Sequence, residues 1–204
     1  MFDFNIKIVF AALAVIFELG AYVPYLKDIF AGKTKPHVYT WLIWALTTGT
    51  AAAGLWYGGG GYGAVSQTIL AVLTFLLFVL SLKYGTKNIT VSDTSVLFLA
   101  LCAIAVWRFL NNPLLAVLMV TAIDAFGYLP SFRKCFAEPW SESLNTWVMF
   151  TAGALLSLLA VSQYNMLTTV YLAVTVLSNI VLISICLFRR PLIPKPSYNS
   201  PDEV

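Results

Sequence analysis

Apolar residues fall into seven long runs, at 6–29, 38–57, 63–83, 94–110, 113–133, 144–162 and 166–188. A helix needs about 20 mainly apolar residues to cross the roughly 30 Å hydrocarbon layer of a bilayer, so each run predicts one membrane-spanning helix. None shows the alternation, in segments of about ten residues, that the strands of a membrane barrel require. The fourth run has the shortest clean core, Val96 to Trp107, and Arg108 at its end has to snorkel towards the interface. Between the runs stand turn-forming stretches: Gly32-Lys33-Thr34-Lys35-Pro36, Gly58–Gly61, Gly85-Thr86-Lys87-Asn88, Asn111-Asn112-Pro113 and Glu138-Pro139. The first run reads as a helix that stays, not a cleaved signal. Asp3 offsets Lys7 ahead of it, the run exceeds the usual signal core, and it contains Glu18.

Composition narrows the class. Of 204 residues, 60% are hydrophobic and 10% charged, with a mean hydropathy of +0.84. An ordinary soluble domain is about 25% charged. A soluble enzyme, a nucleic-acid binder and a disordered chain are excluded on that ground; the expected partners are a lipid bilayer and a small-molecule solute, with a second copy of the chain left open. Cys102, Cys135 and Cys186 lie in or beside apolar runs without ligand spacing, so neither a disulfide framework nor a metal site is expected. There is no glycine-rich phosphate loop, and the one histidine, His37, sits in a loop, so no enzyme and no cofactor is expected. The net charge of +3 reflects topology. With seven spans, one face carries Lys27, Lys33, Lys35, Lys83, Lys87, Arg133, Lys134, Arg189, Arg190 and Lys195, and the other only Lys7 and Arg108. The positive-inside rule then puts the N-terminus outside and the C-terminus in the cytoplasm. The Asn88-Ile89-Thr90 sequon falls on the inner face and is accidental.

Shifting the chain by 106 residues lays the fifth run on the first. Glu18 falls on Asp124, Tyr22 on Tyr128, Pro24 on Pro130, Lys27 on Arg133, Phe30 on Phe136, Thr40 on Thr146 and Trp41 on Trp147, without a gap. The shift spans four helices, so each repeat has three and the fourth restores parallel orientation. The expected architecture is an all-α membrane protein with seven transmembrane helices in a 3+1+3 plan of parallel repeats. Its parts are a first triple-helix bundle (1–85), a linker helix (86–111), a second bundle (112–190) and a disordered cytoplasmic tail (191–204). Parallel repeats are one known route to a transporter with its site at the repeat interface.

Glu18 and Asp124 are the only carboxylates deep in apolar runs. A charge at mid-bilayer costs about 2.5–3.5 kcal/mol on insertion scales, so such groups usually face the bundle interior and serve ion or substrate paths. A proton-binding pair is the functional reading, and an acid tying two helices together is the structural one. Tyr22 and Tyr128 each follow an acid by four residues, on the same helix face. Each phenol either bonds the carboxyl, lines the cavity below it, or marks the headgroup level. Trp41, Trp44 and Trp147 suit an interfacial belt or a stacking wall for a ring-shaped solute. Asn145 aligns with Tyr39, as a polar contact or a helix cap. Gln67 and Asn179 are polar groups inside the third helices, for a solute or for interhelical bonding. Gly49-Thr50-Ala51-Ala52-Ala53-Gly54 reads as close helix packing. Pro24 and Pro130 each remove a backbone hydrogen bond and permit a kink.

The segments YVPYLKDIFAGKTKPHVYTWLIW (Tyr22–Trp44) and YLPSFRKCFAEPWSESLNTWVMF (Tyr128–Phe150) resemble the PQ-loop/SWEET (MtN3) superfamily of seven-helix transporters. Shared features are a late proline in the first helix, a basic loop and an aromatic opening the second helix. Tyr25 and Ser131 stand where the name-giving glutamine would follow the proline. The resemblance implies an alternating-access transporter of a sugar, an amino acid or a vitamin-like solute. It implies hinge roles for Pro24 and Pro130 and solute contact at Asn179, whose counterpart at the same shift is Leu73. A non-transporting receptor or sorting protein on the same scaffold is the alternative. Compact loops favour a prokaryotic plasma membrane.

Overall fold

Each apolar run becomes a helix, and side chains that bond free amides set several of the helix starts. The computed structural model describes residues 5–32, 35–86, 89–140 and 142–194. Among them are α1 (Ile6–Phe30), α2 (Val38–Tyr57), α3 (Tyr62–Tyr84), α4 (Val91–Leu110), α5 (Pro113–Ala137), α6 (Leu144–Leu159) and α7 (Met166–Arg189), with a short 3-10 turn at Arg190–Leu192 and no strand. Asn5 caps α1 by accepting from Lys7 N, and Asn165 caps α7 by accepting from Leu167 N. At α4, Thr90 and Asp93 cap each other's amides (Thr90 N to Asp93 Oδ2, 2.8 Å; Asp93 N to Thr90 Oγ1, 3.2 Å). That box starts the helix at Val91, three residues ahead of the expected 94. Lys33, Lys87, Asn88, Lys195 and the expected tail beyond 194 lie outside the described residues.

Five helices (α1, α3, α4, α5 and α7) are long and apolar enough to cross a membrane. Two of the seven expected spans fall short of that standard. The hydropathy of α2 is diluted by Trp41, Trp44, Thr47, Thr48, Gly49, Thr50, Gly54 and Trp56. The helix α6 has 16 residues and stops at Leu159, not 162, because Ala160 caps it and Ser162 N turns away to Gly60 O at 2.9 Å. Along the helices, Ile16, Val72, Phe98 and Phe126 are more than 60% exposed. Such a surface is unfavourable in water and fits a lipid-facing one, as in a multi-pass membrane protein.

The helix α3 packs against α1 and α2, and α7 packs against α5 and α6. Across the molecule α1 lies on α6, α2 lies on α5, and α4 covers α2 and α5. The cross-contacts are close where small residues face bulk. A β-carbon at Gly20 would collide with Cε of Met149, and one at Gly54 with Cγ2 of Val117. Glu18 lies over Gly153, where a β-carbon would sit 3.0 Å from Glu18 Cγ.

The two ends of the helices are tied differently. At the end holding the α2–α3 turn, the bonds cross from α1–α3 to α5–α7. Ser162 N donates to Gly60 O (2.9 Å), Gly63 N to Ala160 O (3.2 Å) and Asn165 Nδ2 to Gly58 O (2.8 Å). Lys7 Nζ donates to Val161 O at 2.6 Å and Ser162 O at 3.3 Å. Gly61, with φ +57°, lies so close to Ser162 that a side chain would meet its Oγ, so glycine is required twice over. At the basic end the following bonds among the described residues each stay within one set of three, and His37 adds a 4.0 Å contact with Asp93 of α4. Val38 N donates to Thr86 O and Thr86 N to Pro36 O, while Arg189 Nε donates to Phe136 O and Arg190 to Pro139 O and Glu142 O.

Candidate functional site

Between the two three-helix sets lies a cavity of about 220 Å³, lined by α1, α2, α3, α5, α6 and α7 and not by α4. Its depth runs from Gln67 and Tyr171, early in α3 and α7, to Ser131 and Trp147 near the basic end. The acids stand at its centre because α1 turns its small face, Ala14 and Ala21, onto α6 and carries Glu18 between them. Glu18 is 2% exposed, and the Ser157 hydroxyl beside it donates to Ser66 Oγ at 2.8 Å. Asp124 Oδ2 accepts from the Tyr171 hydroxyl, with Thr47 beside it. Three buried polar atoms on the cavity have no hydrogen-bond partner among the described residues: Glu18 Oε2, Asp124 Oδ1 and Gln67 Nε2. Buried polar atoms are nearly always bonded, so three orphans on one cavity mark a place that an occupant completes.

The tyrosines expected to serve the acids bond elsewhere. Tyr128 donates to Asn179 Oδ1 at 2.8 Å, and Tyr22 shares a hydrogen bond with Thr74 Oγ1 at 3.3 Å. Both rings line the cavity. Asn179 therefore corresponds to Thr74, not Leu73. Buried positions of α3 and α7 match at a shift of 105, pairing Gly63 with Thr168, Ser66 with Tyr171, Gln67 with Leu172, Thr74 with Asn179, Leu77 with Leu182 and Ser81 with Cys186. The earlier helices keep 106: Thr47 pairs with Gly153, Ala51 with Ser157, and Leu55 with Val161, all buried. The two registers of buried positions differ by one residue, the change falling between the second and third helices of each set.

Of the residues singled out in the sequence, Glu18, Tyr22, Gln67, Asp124, Tyr128, Trp147 and Asn179 line the cavity. Trp41 does not. It is buried behind Tyr22 and Tyr25, with ring centroids 6.2 and 5.4 Å away, and stacks edge-on against Trp44, which takes the wall. Asn145 is exposed, since two residues from Trp147 is about 200° around a helix; Ser143 holds the N-cap position instead. Pro24 lies inside an unbroken α1 on its exposed side. The side chain of Pro130 lies outside the described residues. Tyr171, Thr175 and Thr74 were missed. A signal for the first two was present: Tyr171, Thr175 and Asn179 form a polar stripe at four-residue spacing on an otherwise aliphatic α7.

Comparison with protein-family models, curated proteins and solved structures returns no match for this chain.

Proposed function

We propose that this is an alternating-access transporter of a small polar solute, built as two parallel three-helix repeats joined by α4, as in the PQ-loop/SWEET superfamily it resembles. One observation carries the reading. Corresponding positions of the two sets face one cavity, each contributing an acid with one buried oxygen that has no hydrogen-bond partner among the described residues. Helix packing is consistent with it: when α1, α2 and α3 are exchanged with α5, α6 and α7, the pairs α1–α3 and α2–α3 become α5–α7 and α6–α7, and the pair α1–α6 becomes α2–α5, all of which are packed together. In this reading the N-terminus is outside and the C-terminus in the cytoplasm of a plasma membrane. The bonded α2–α3 end is the closed outer gate, and the solute enters from the basic, inner end. Glu18 and Asp124 carry the coupled proton, and Pro24 and Pro130 give the helices room to rock.

The test is flux in proteoliposomes with a lockable gate. A β-carbon at Gly58 lies 3.0 Å from that of Leu167 across the closed end, near the roughly 3.5–4.5 Å of a disulfide. The pair Gly58→Cys with Leu167→Cys, once oxidised, is expected to stop solute flux and to regain it on reduction. Flux that ignores a bond verified by mass spectrometry sinks alternating access at this gate. Glu18→Gln and Asp124→Asn are each expected to abolish the pH dependence of transport while leaving the fold intact; an unchanged pH response in both ends the proton-coupling idea.

A further inference from the structure

Charge in the cavity is unbalanced. Two carboxyl groups line it, and among its lining residues there is no lysine, arginine or histidine. Lys7 bonds to Val161 and Ser162 at one end of the molecule, and Arg189 and Arg190 bond to the carbonyls around the α5–α6 loop at the other. A buried carboxylate without a counter-charge is costly, so a balancing positive charge has to arrive with the occupant. A proton balances charge but leaves the walls unexplained. Those walls are rich in aromatic side chains: Tyr22, Trp44, Tyr128, Trp147, Phe150 and Tyr171. Aromatic faces attract cations, and most strongly where water is excluded.

The hydroxyl groups on the cavity argue in the same direction. A sugar presents many donors and acceptors and needs matching groups on every side. Here the threonine donors are already used on their own helices: Thr48 on Trp44 O (2.6 Å), Thr74 on Leu70 O (2.8 Å) and Thr175 on Tyr171 O (2.9 Å). The buried polar atoms on the cavity without a partner among the described residues are two carboxylate oxygens and the Gln67 amide nitrogen. Size sets the scale. A dry cavity of about 150 Å³ takes benzene, so 220 Å³ suits a molecule of roughly nine non-hydrogen atoms, smaller than a disaccharide.

We infer that the cavity takes a small organic ammonium ion, its charge on Glu18 and Asp124 and its alkyl groups against the aromatic rings. The inference rests on the reading of this cavity as the solute site. It is tested on the full-length protein in a maltoside detergent, since choline lipids would compete. Calorimetric titration compares choline with 3,3-dimethyl-1-butanol, its uncharged carbon analogue, and butylammonium with 1-butanol. At least one ammonium is expected to bind roughly tenfold or more tighter than its neutral counterpart, a gap of about 1.4 kcal/mol. Glu18→Gln should remove that preference while the variant melts as a folded protein. The wild-type comparison alone decides the matter if the variant fails to fold. Equal binding of charged and neutral members, or no binding of either ammonium, overturns the inference. Ammonium binding without flux in proteoliposomes keeps it and sinks the transport reading. Glu18-dependent flux of a neutral solute does the reverse.

Discussion

Every position of the first three-helix set on the cavity has a match there in the second, at shifts of 106 and 105, with different chemistry at most of them, and the second adds Gly127, Ser131, Trp147 and Tyr171. On the second, Asp124 is held by the Tyr171 hydroxyl, and Tyr128 donates a 2.8 Å bond to Asn179. On the first, the position matching Tyr171 is Ser66, which bonds Ser157 rather than the acid, and Tyr22 meets Thr74 at a longer 3.3 Å. Glu18 lies over a bare glycine, whereas Asp124 has Thr47 at the matching place. The second set therefore ties more of its polar groups together and leaves one buried atom, Asp124 Oδ1, unbonded among the described residues, where the first leaves two, Glu18 Oε2 and Gln67 Nε2.

The comparison breaks most severely at Gly153. Gly153→Thr copies the α2 residue into α6 and drives a side chain into Glu18 Cγ and the Ala14 carbonyl. Overpacking of this kind costs about 1–3 kcal/mol, read by equilibrium unfolding in mixed detergent micelles. Next comes Tyr171→Phe, which removes the bond to Asp124 and makes the second acid resemble the first. A loss of about 1–2 kcal/mol is expected in the same unfolding measurement, with the ring packing kept. Unequal effects should also appear at the paired tyrosines. Asn179→Leu is expected to cost about 1 kcal/mol and Thr74→Val about half that, within the range of interhelical hydrogen bonds in membranes. Equal costs would dissolve the claim that one set is the more tightly networked. The smallest effect is at Lys7→Met, which drops the charge-assisted ties to Val161 and Ser162 for about 1 kcal/mol or less. Fluorescence of a probe at that end should report more frequent opening.

Much of the helical layout was legible because each helix is an uninterrupted apolar run bounded by turn residues. The bounds of α2, 38–57, match the expected run, and those of α1, α3 and α7 differ by about a residue at an end. The end of α6 was not legible, because it depends on Ser162 bonding to Gly60, a hundred residues away in sequence. The acids stood out as the only carboxylates deep in apolar runs. Tyr171 was hidden because four-residue spacing reports neighbours on one helix, while its bond to Asp124 crosses from α7 to α5. Thr74 was hidden by a one-residue change of register. A fixed shift of 106 pairs Asn179 with Leu73, whereas the buried faces realign at 105. Trp41 and Trp44 look alike in sequence, and only the packing of Tyr22 and Tyr25 onto the first leaves the second facing the cavity.

The most direct test of the central claim, that this cavity binds a solute through Glu18, is a thermal-shift panel on the purified protein. Sugars, amino acids, nucleosides, vitamins and small amines are each added to the wild type and to Glu18→Gln and Asp124→Asn. A ligand that binds only the folded state at a hundredfold excess over its Kd adds about 2.7 kcal/mol to stability. The account predicts at least one compound that raises the Tm of the wild type and loses that effect in Glu18→Gln, with the unliganded variant still folded. A compound that stabilises all three proteins equally, or a panel that stabilises none, would contradict it.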